Sequence, residues 1–271
     1  MSDRRLFDFV DGGTPLLIDV PHAGTEVPGW LNARLTPAAR SLPDTDWHVD
    51  KLYAFATELG ASLMLAKHTR YLIDLNRDPH DLALYPGADN TELVPTRTFA
   101  NQPIYRDGAR PDAAEIGERR MRYWQPYHDA LAQRLAAIRA RHGYAVLLDA
   151  HSIRSVVPRF FAGRLPDLNL GTVDGASCVP ELQERALRVL RTTENFSAVC
   201  NGRFKGGYVT RHYGRPGEGI HALQLEIAQS CYMDESPPYA WDAARAAALQ
   251  TVLRRLVIAL LEWRPGSPHP S

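Results

Sequence analysis

The apolar run Ala145-Val146-Leu147-Leu148, preceded by Gly143 and followed by Asp149-Ala150-His151-Ser152-Ile153-Arg154, constrains this chain more than any other stretch. It is continuously apolar rather than alternating, which fits a short central strand of a parallel sheet covered on both faces. Open sheets of that kind bind ligands just outside the carboxyl ends of their strands. Asp149, His151, Ser152 and Arg154 fall at such an end, so the chemistry is expected there.

Other segments repeat the pattern. Pro15-Leu16-Leu17-Ile18-Asp19-Val20 reads as a second strand and runs into Pro21-His22-Ala23-Gly24, so two strands finish in a histidine. Ser62–Ala66 and Tyr71–Leu75 read as further strands, the latter delivering Asn76 and Arg77 before Pro79 blocks a helix. The planar fork of Arg77 suits a carboxylate. Ile220–Ile227 alternates, with Ala222, Gln224 and Glu226 on one face; a carboxylate on a mostly apolar strand needs a partner or a task, and a raised pKa prepares it for proton transfer.

Between these runs the spacing predicts helices. One begins near Val49, where Asp44, Thr45 or Asp46 can serve as N-cap, and a long amphipathic one covers about Pro111 to Arg141. Two more run from about Val179 to Thr193 and from Tyr239 to Trp263, with a short strand at Ser197–Cys200. Leu82–Pro111 and Arg154–Gly175 read as loops, and the first is long enough to be a lid or wall over a site. Asn201–Gly214 is punctuated by glycines and carries Arg203, Lys205, Tyr208, Arg211 and His212; it reads as a cationic, flexible wall for carboxylates or as a solvated basic hairpin. It holds no phosphate-binding glycine motif. With no internal repeat or linker, the expectation is one domain over residues 1–271, an α/β fold with a mixed, mostly parallel sheet flanked by helices.

Composition excludes several classes. Thirty-one basic residues balance thirty-one acidic ones, leaving no field for nucleic acid or an anionic membrane and favouring a small polar substrate. The three cysteines, Cys178, Cys200 and Cys231, form no C-x-x-C pair and no disulfide framework. Met1–Asp8 shows no leader-like apolar run and no stretch of eighteen apolar residues occurs, so a soluble cytoplasmic protein is expected. Oligomeric state leaves no trace in the sequence.

Two histidines from different strand ends, a nearby carboxylate and a separate glutamate make the inventory of a catalytic zinc: three protein ligands and an open position. The expected ligands are His22, His151 and Asp46, the last because it opens a helix from a loop; Glu26 and Asp50 stay open as alternatives. Glu226 is the expected base, and Asp149 a carboxylate that orients one histidine. One zinc per chain, or another divalent metal, is the expected cofactor.

Seven blocks in order carry a resemblance. They are Pro21-His22-Ala23-Gly24, Asp44-Thr45-Asp46-Trp47-His48, Ile73-Asp74-Leu75-Asn76-Arg77, Asp149-Ala150-His151-Ser152-Ile153-Arg154, Gly202 to Tyr208, Thr210 to Gly214 and Leu223-Gln224-Leu225-Glu226. Together they resemble the N-formylglutamate amidohydrolase family, particularly its branch in histidine breakdown. The resemblance implies hydrolysis of N-formyl-L-glutamate to formate and L-glutamate on a zinc-carboxypeptidase/phosphorylase-hydrolase-like fold. It also gives the arginines a purpose: Arg77, Arg154 and Arg211 would bind the two substrate carboxylates, with Asn76 and Tyr208 as hydrogen-bonding neighbours. One departure stands out, since zinc carboxypeptidases take ligands from H-x-x-E, and here Thr25 lies three after His22 with Glu26 one residue too late.

Rival readings are a zinc amidase that removes another acyl group from an acidic amino acid, a serine hydrolase using Ser152, and a non-catalytic carboxylate-binding protein. Ser152 lacks a G-x-S-x-G elbow and adjoins His151 in sequence rather than facing it. A binding protein would need the cations but not His22, His151 and Glu226.

Overall fold

A computed structural model describes residues 5–266, so the first four residues of the Met1–Asp8 segment lie outside it. Seven strands form one mixed sheet: β1 (Phe7–Val10), β2 (Leu16–Val20), β3 (Ser62–Ala66), β4 (Ala145–Ile153), β5 (Leu168–Gly171), β6 (Ala198–Cys200) and β7 (Ile220–Ala228), in the order β1-β3-β2-β4-β7-β5-β6. The pairs β2–β3, β2–β4, β4–β7 and β5–β6 are parallel, whereas β1–β3 and β5–β7 are antiparallel. The helices are α1 (Gly29–Asn32), α2 (Pro37–Arg40), α3 (Val49–Tyr53), α4 (Ala113–Arg119), α5 (Gln125–His142), α6 (Pro180–Arg191), α7 (Tyr208–Tyr213) and α8 (Ala243–Glu262).

Alternation along the strands divides the interior into two cores. On one face Leu16, Ile18, Val20, Val146, Leu148, Ala150, Leu223, Leu225 and Ile227 pack with apolar residues of α3, α6 and α8. On the other, Leu17, Ala145, Leu147 and Ala222 meet Tyr127, Leu131, Leu135 and Ile138 of α5. Each fully buried leucine contributes roughly 1.5–3 kcal/mol, so both faces hold the sheet strongly. Towards the carboxyl ends the second face changes character: Asp19, Asp149, His151, Gln224 and Glu226 follow the leucines and alanines and are all buried.

Several elements depart from the sequence expectation. β4 runs on to Ile153, because β7 pairs with it as far as Ile153↔Ala228, so Asp149 and His151 are strand residues rather than loop residues. Tyr71–Leu75 is not a strand. Thr69 satisfies the local backbone instead, its carbonyl accepting from Leu72 N and its hydroxyl from Tyr71 N, while Tyr71, Leu72, Ile73 and Leu75 enter the second core from a turn. The edge place next to β3 goes to β1, which the sequence reading did not mark. Strand β5 lies inside the expected Arg154–Gly175 loop, and α7 inside the glycine-rich Asn201–Gly214 segment.

The helix over 113–142 contains a π segment at Arg120–Trp124. Pro126 explains it: proline has no N–H and its ring crowds the carbonyl four residues back, so the turn widens by one residue. The inserted turn is anchored, with Trp124 Nε1 donating to Arg77 O (3.1 Å) and Arg120 Nη1 to Pro79 O (3.3 Å). Leu82–Pro111 contains no helix and no strand beyond isolated bridges.

Candidate metal centre

β2 ends one residue before Pro21, which projects His22 over the sheet beside β4, where Asp19 and Asp149 are register partners. Asp46 arrives from the turn before α3, fixed by its own N–H donating to His22 O (3.1 Å). Its neighbour His48 takes a left-handed backbone at the start of α3, and no side chain caps that helix. Capping therefore does not account for Asp44 and Asp46. Asp44 accepts from Tyr71 Oη (2.7 Å) and Phe99 N (3.0 Å), while Asp46 turns to the histidines.

Asp46 Oδ2 lies 3.8 Å from His22 Nδ1 and 2.9 Å from His151 Nδ1. These distances bracket the roughly 3.3–3.5 Å between ligand atoms that tetrahedral ligation at about 2.0–2.1 Å implies. All three candidate ligand atoms fall within 4.8 Å of one another, and all three residues are buried. The opposite ring nitrogens are engaged by carboxylates: His22 Nε2 with Asp74 Oδ1 and His151 Nε2 with Asp149 Oδ1, both at 2.7 Å. Each carboxylate holds a proton on Nε2, so Nδ1 is the nitrogen that faces the centre, as in metal sites whose histidines are backed by carboxylates. His22, Asp46 and His151 thus form a group able to hold a metal ion. Glu26 and Asp50 do not join it; Glu26 lies 3.6 Å from Lys67 and Asp50 is exposed on α3.

Charges around the centre oppose burial. Burial and Arg70 lower the His22 pKa, keeping that ring neutral against the pull of Asp74 and Asp46. Burial also works against charge on His151, but Asp149 and Asp46 outweigh it and hold its pKa well above the ordinary value. Burial would raise Asp74, yet Arg70, His22 and Arg77 take it well below the usual carboxylate range. Arg70 joins the carboxylates by Nη2 to Asp74 Oδ2 (2.7 Å) and Nη1 to Asp46 Oδ1 (3.4 Å).

Glu226 is the register partner of His151, so both side chains leave the sheet on one face. Burial pushes its pKa up to about 7, with Asp46 adding to the rise and His151 opposing it. Oε2 accepts from Gln224 Nε2 (3.1 Å), and Oε1 has no hydrogen-bond partner among the described residues. The Gln224 amide is itself oriented by Gly207 N–H donating to Oε1 (2.6 Å). Gly207 must be glycine here, because a Cβ would come within 2.3–2.5 Å of the Asn76 side chain. Asn76 in turn accepts from Val209 N at Oδ1 (2.8 Å), and its Nδ2 lies 3.2 Å from Asp149 Oδ2 and 2.8 Å from His151 Nε2.

These groups open on a cavity lined by His22, Asp46, His151, Glu226, Asn76 and Arg77 among others. Its outer wall includes Leu84, Tyr85 and Phe99 from the long loop, Phe160 from the loop after β4, and Arg203 and Phe204. Three of the expected substrate-binding residues lie elsewhere. Tyr208 stacks on His212 (4.9 Å between ring centroids) and faces Trp124 and His128, outside the cavity lining. Arg211, also on α7, donates from Nε to Gly206 O (2.9 Å). Arg154 is not in the lining either; its charge acts on Asp44.

Arg70 lines the cavity without having been marked in the sequence; Gln224 and Arg203, marked there only as part of a strand face and of a cationic segment, line it too. Gln224 and Glu226 share a strand face in the alternating pattern, a signal that extends to both. Ser152 also lines the cavity, but Tyr232 Oη lies 2.7 Å from its Oγ and 2.8 Å from Trp47 O, the acceptor of the phenol proton. The serine proton therefore goes to Tyr232, which removes Ser152 as a nucleophile.

A family model described as N-formylglutamate amidohydrolase matches residues 14–233. A protein of Pseudomonas aeruginosa named N-formylglutamate deformylase is 50% identical over 263 residues, covering 96% of this chain and 97% of its own. A protein of the same name from Pseudomonas putida is 48% identical over the same shares. Among solved structures, N-formylglutamate amidohydrolase from Ralstonia eutropha JMP134 superposes with a TM-score of 0.77 at 29% identity, covering 94% of this chain and 95% of that one. A protein of Agrobacterium tumefaciens shares the fold, with a TM-score of 0.71 at 19% identity over 95% of this chain and 94% of its own.

Proposed function

The chain belongs to the N-formylglutamate amidohydrolase family, and from that membership we propose that it is a metal-dependent deformylase that hydrolyses N-formyl-L-glutamate to formate and L-glutamate. The observation that carries the chemistry is the meeting of the His22, Asp46 and His151 group with a partly free Glu226 in one cavity. A divalent ion, zinc in this reading and one per chain, would be held by His22, Asp46 and His151 and would polarise the formyl carbonyl and acidify water.

Glu226 Oε1 accepts a proton from the attacking water and passes it to the amide nitrogen as the C–N bond breaks, so the nitrogen leaves as the amine of glutamate. A pKa near 7 suits both transfers, since the carboxylate must bind the proton and then release it. Asp74 and Asp149 keep the two imidazoles in one tautomer. Asn76 supports the His151–Asp149 pair, and Arg77, fixed by Thr91 Oγ1 (2.9 Å) and Asn76 O (2.8 Å), meets a substrate carboxylate. The balanced charge, and the lack among the described residues of any helix long and apolar enough to cross a membrane, fit a small-molecule enzyme of histidine breakdown in the cytoplasm.

The test is formate release from N-formyl-L-glutamate, set against N-acetyl-L-glutamate and N-formyl-L-methionine. Rapid release from the first alone is expected. Faster cleavage of the acetyl compound would replace deformylation with general deacylation of acidic amino acids.

A further inference from the structure

We propose that Arg203 is the specificity-determining residue for the distal, side-chain carboxylate of the substrate, leaving the α-carboxylate to Arg77. The assignment rests on the deformylase reading above and extends it to a second cation of the cavity lining.

Three guanidinium groups line the cavity: Arg70, Arg77 and Arg203. Arg70 is neutralised by Asp46 and Asp74. Behind the wall, Arg159 is likewise spent on Asp89, with Nη2–Oδ1 at 2.9 Å and Nε–Oδ2 at 3.0 Å. Arg77 and Arg203 differ, because each meets only neutral oxygens among the described residues: Arg77 those of Thr91 and Asn76, and Arg203 the carbonyl of Phe160 at 2.6 Å from Nε. A guanidinium fork in a cavity wall that hydrogen-bonds no carboxylate is free to take one from a ligand, so a wall that keeps two such forks suits an anionic ligand. The proposed substrate carries two carboxylates.

Position decides which fork meets which. Arg77 follows Asn76, whose amide reaches His151 and Asp149, and its charge interacts with Asp74 and Glu226. It therefore stands beside the reacting amide, and the α-carboxylate is attached one carbon from that nitrogen. Arg203 comes from the loop before α7, and no such link to Asp74 or Glu226 is seen for it among the described residues. Its guanidinium lies 5.0 Å from the Tyr85 ring, 5.4 Å from Phe204 and 6.0 Å from Phe160, rings contributed by three separate loops. A guanidinium stacks readily on such rings, which leaves its fork aimed for a carboxylate arriving at the end of two methylenes. Arg211 also lies over Tyr85, at 5.5 Å, but outside the lining.

The experiment compares wild type, Arg203→Met and Arg203→Lys by kcat/KM for N-formyl-L-glutamate and N-formyl-L-glutamine, which differ only in the distal group. Binding of L-glutamate and L-glutamine by calorimetry provides a readout free of turnover, and circular dichroism monitors folding. Wild type is expected to prefer the acid; in Arg203→Met the ratio of the two kcat/KM values falls by about 10²-fold, while Arg203→Lys, keeping a charge there, retains part of it. A methionine variant in which both substrates lose equally, so that the ratio stands, overturns the proposal. So does a lysine variant no more selective than methionine. If wild type releases no formate from N-formyl-L-glutamate, the deformylase reading fails on its own, and the calorimetric preference for glutamate then decides Arg203: its loss in Arg203→Met upholds the anion site, and its persistence removes it.

Discussion

His151 and Glu226 stand opposite each other in the parallel ladder of β4 and β7, so the backbone register of two buried strands sets the distance between a proposed metal ligand and the proposed base. Neither residue depends on a loop for its placement. Both are held by strands whose lower halves are packed with leucine and alanine, the kind of rigid support that precise catalytic geometry requires.

Glu226 must be ionised to accept the first proton, and its pKa is raised to about 7. The value of kcat/KM should therefore rise as pH increases through about 7 and level off above it. Glu226→Gln should lower kcat by roughly 10² or more while metal content persists. A flat pH profile from 6 to 8, or unchanged turnover in the variant, would remove Glu226 from the role.

Metal removal should abolish formate release, and elemental analysis of untreated protein should find about one divalent ion per chain. Activity that survives complete chelation would leave the His22, Asp46 and His151 group a structural cluster.

Asp74→Asn strips Arg70 of its closest carboxylate and His22 of its orienting partner. A buried charge left short of its partner costs about 3–5 kcal/mol, and loss of an orienting carboxylate weakens metal binding by roughly 10–100-fold. Urea unfolding and metal titration measure the two effects separately; stability within 1 kcal/mol of wild type would show that Asp46 alone compensates Arg70.

Gly207→Ala should act at a distance. The added methyl meets Asn76, which must shift away from Asp149 and His151, so turnover should fall by roughly 10-fold or more with secondary structure intact. Wild-type kcat in this variant would mean that Asn76 does not position His151.

Asp19 carries a different pH signature. It is fully buried beside Asp149, accepts a hydrogen bond from Tyr127, and burial followed by repulsion from Asp149 raises its pKa to about 8. Between pH 4 and pH 8 the folded chain thus binds a proton that the unfolded chain has lost, so this group lowers stability as pH rises through that window. Asp19→Asn should gain stability relative to wild type at pH 8 compared with pH 5, read from urea unfolding at both; an equal difference at both pH values would show Asp19 ionised in the fold.

The central strands and their chemistry are legible in the sequence because burial on both faces leaves continuous apolar runs, and polar residues at their ends then stand out. His22, His151 and Glu226 can be read this way, whereas Asp46 comes from the turn before α3 and is marked only by its polar cluster. Where side-chain pattern and backbone state part company, legibility ends. Tyr71–Leu75 is apolar because it is buried, not because it is extended; β5 has only four residues and one is Asn169. Arg203 and Arg211 share one cationic segment, but Arg203 lines the cavity whereas Arg211, on α7, lies outside the lining and donates to Gly206 O. Sequence spacing carries no information about that difference.

The π segment at Arg120–Trp124 acts as a phase shift between two halves of one long helix. An extra residue rotates everything before it by about 100° relative to everything after it. α5 can thus keep Tyr127, Leu131 and Leu135 against the sheet while Trp124 and Arg120 reach the carbonyls of Arg77 and Pro79. Excising one residue from 120–124 together with replacing Pro126 would restore an unbroken α-helical ladder and yet detach the segment that bears Asn76 and Arg77. In this chain, local regularity and a working site are alternatives.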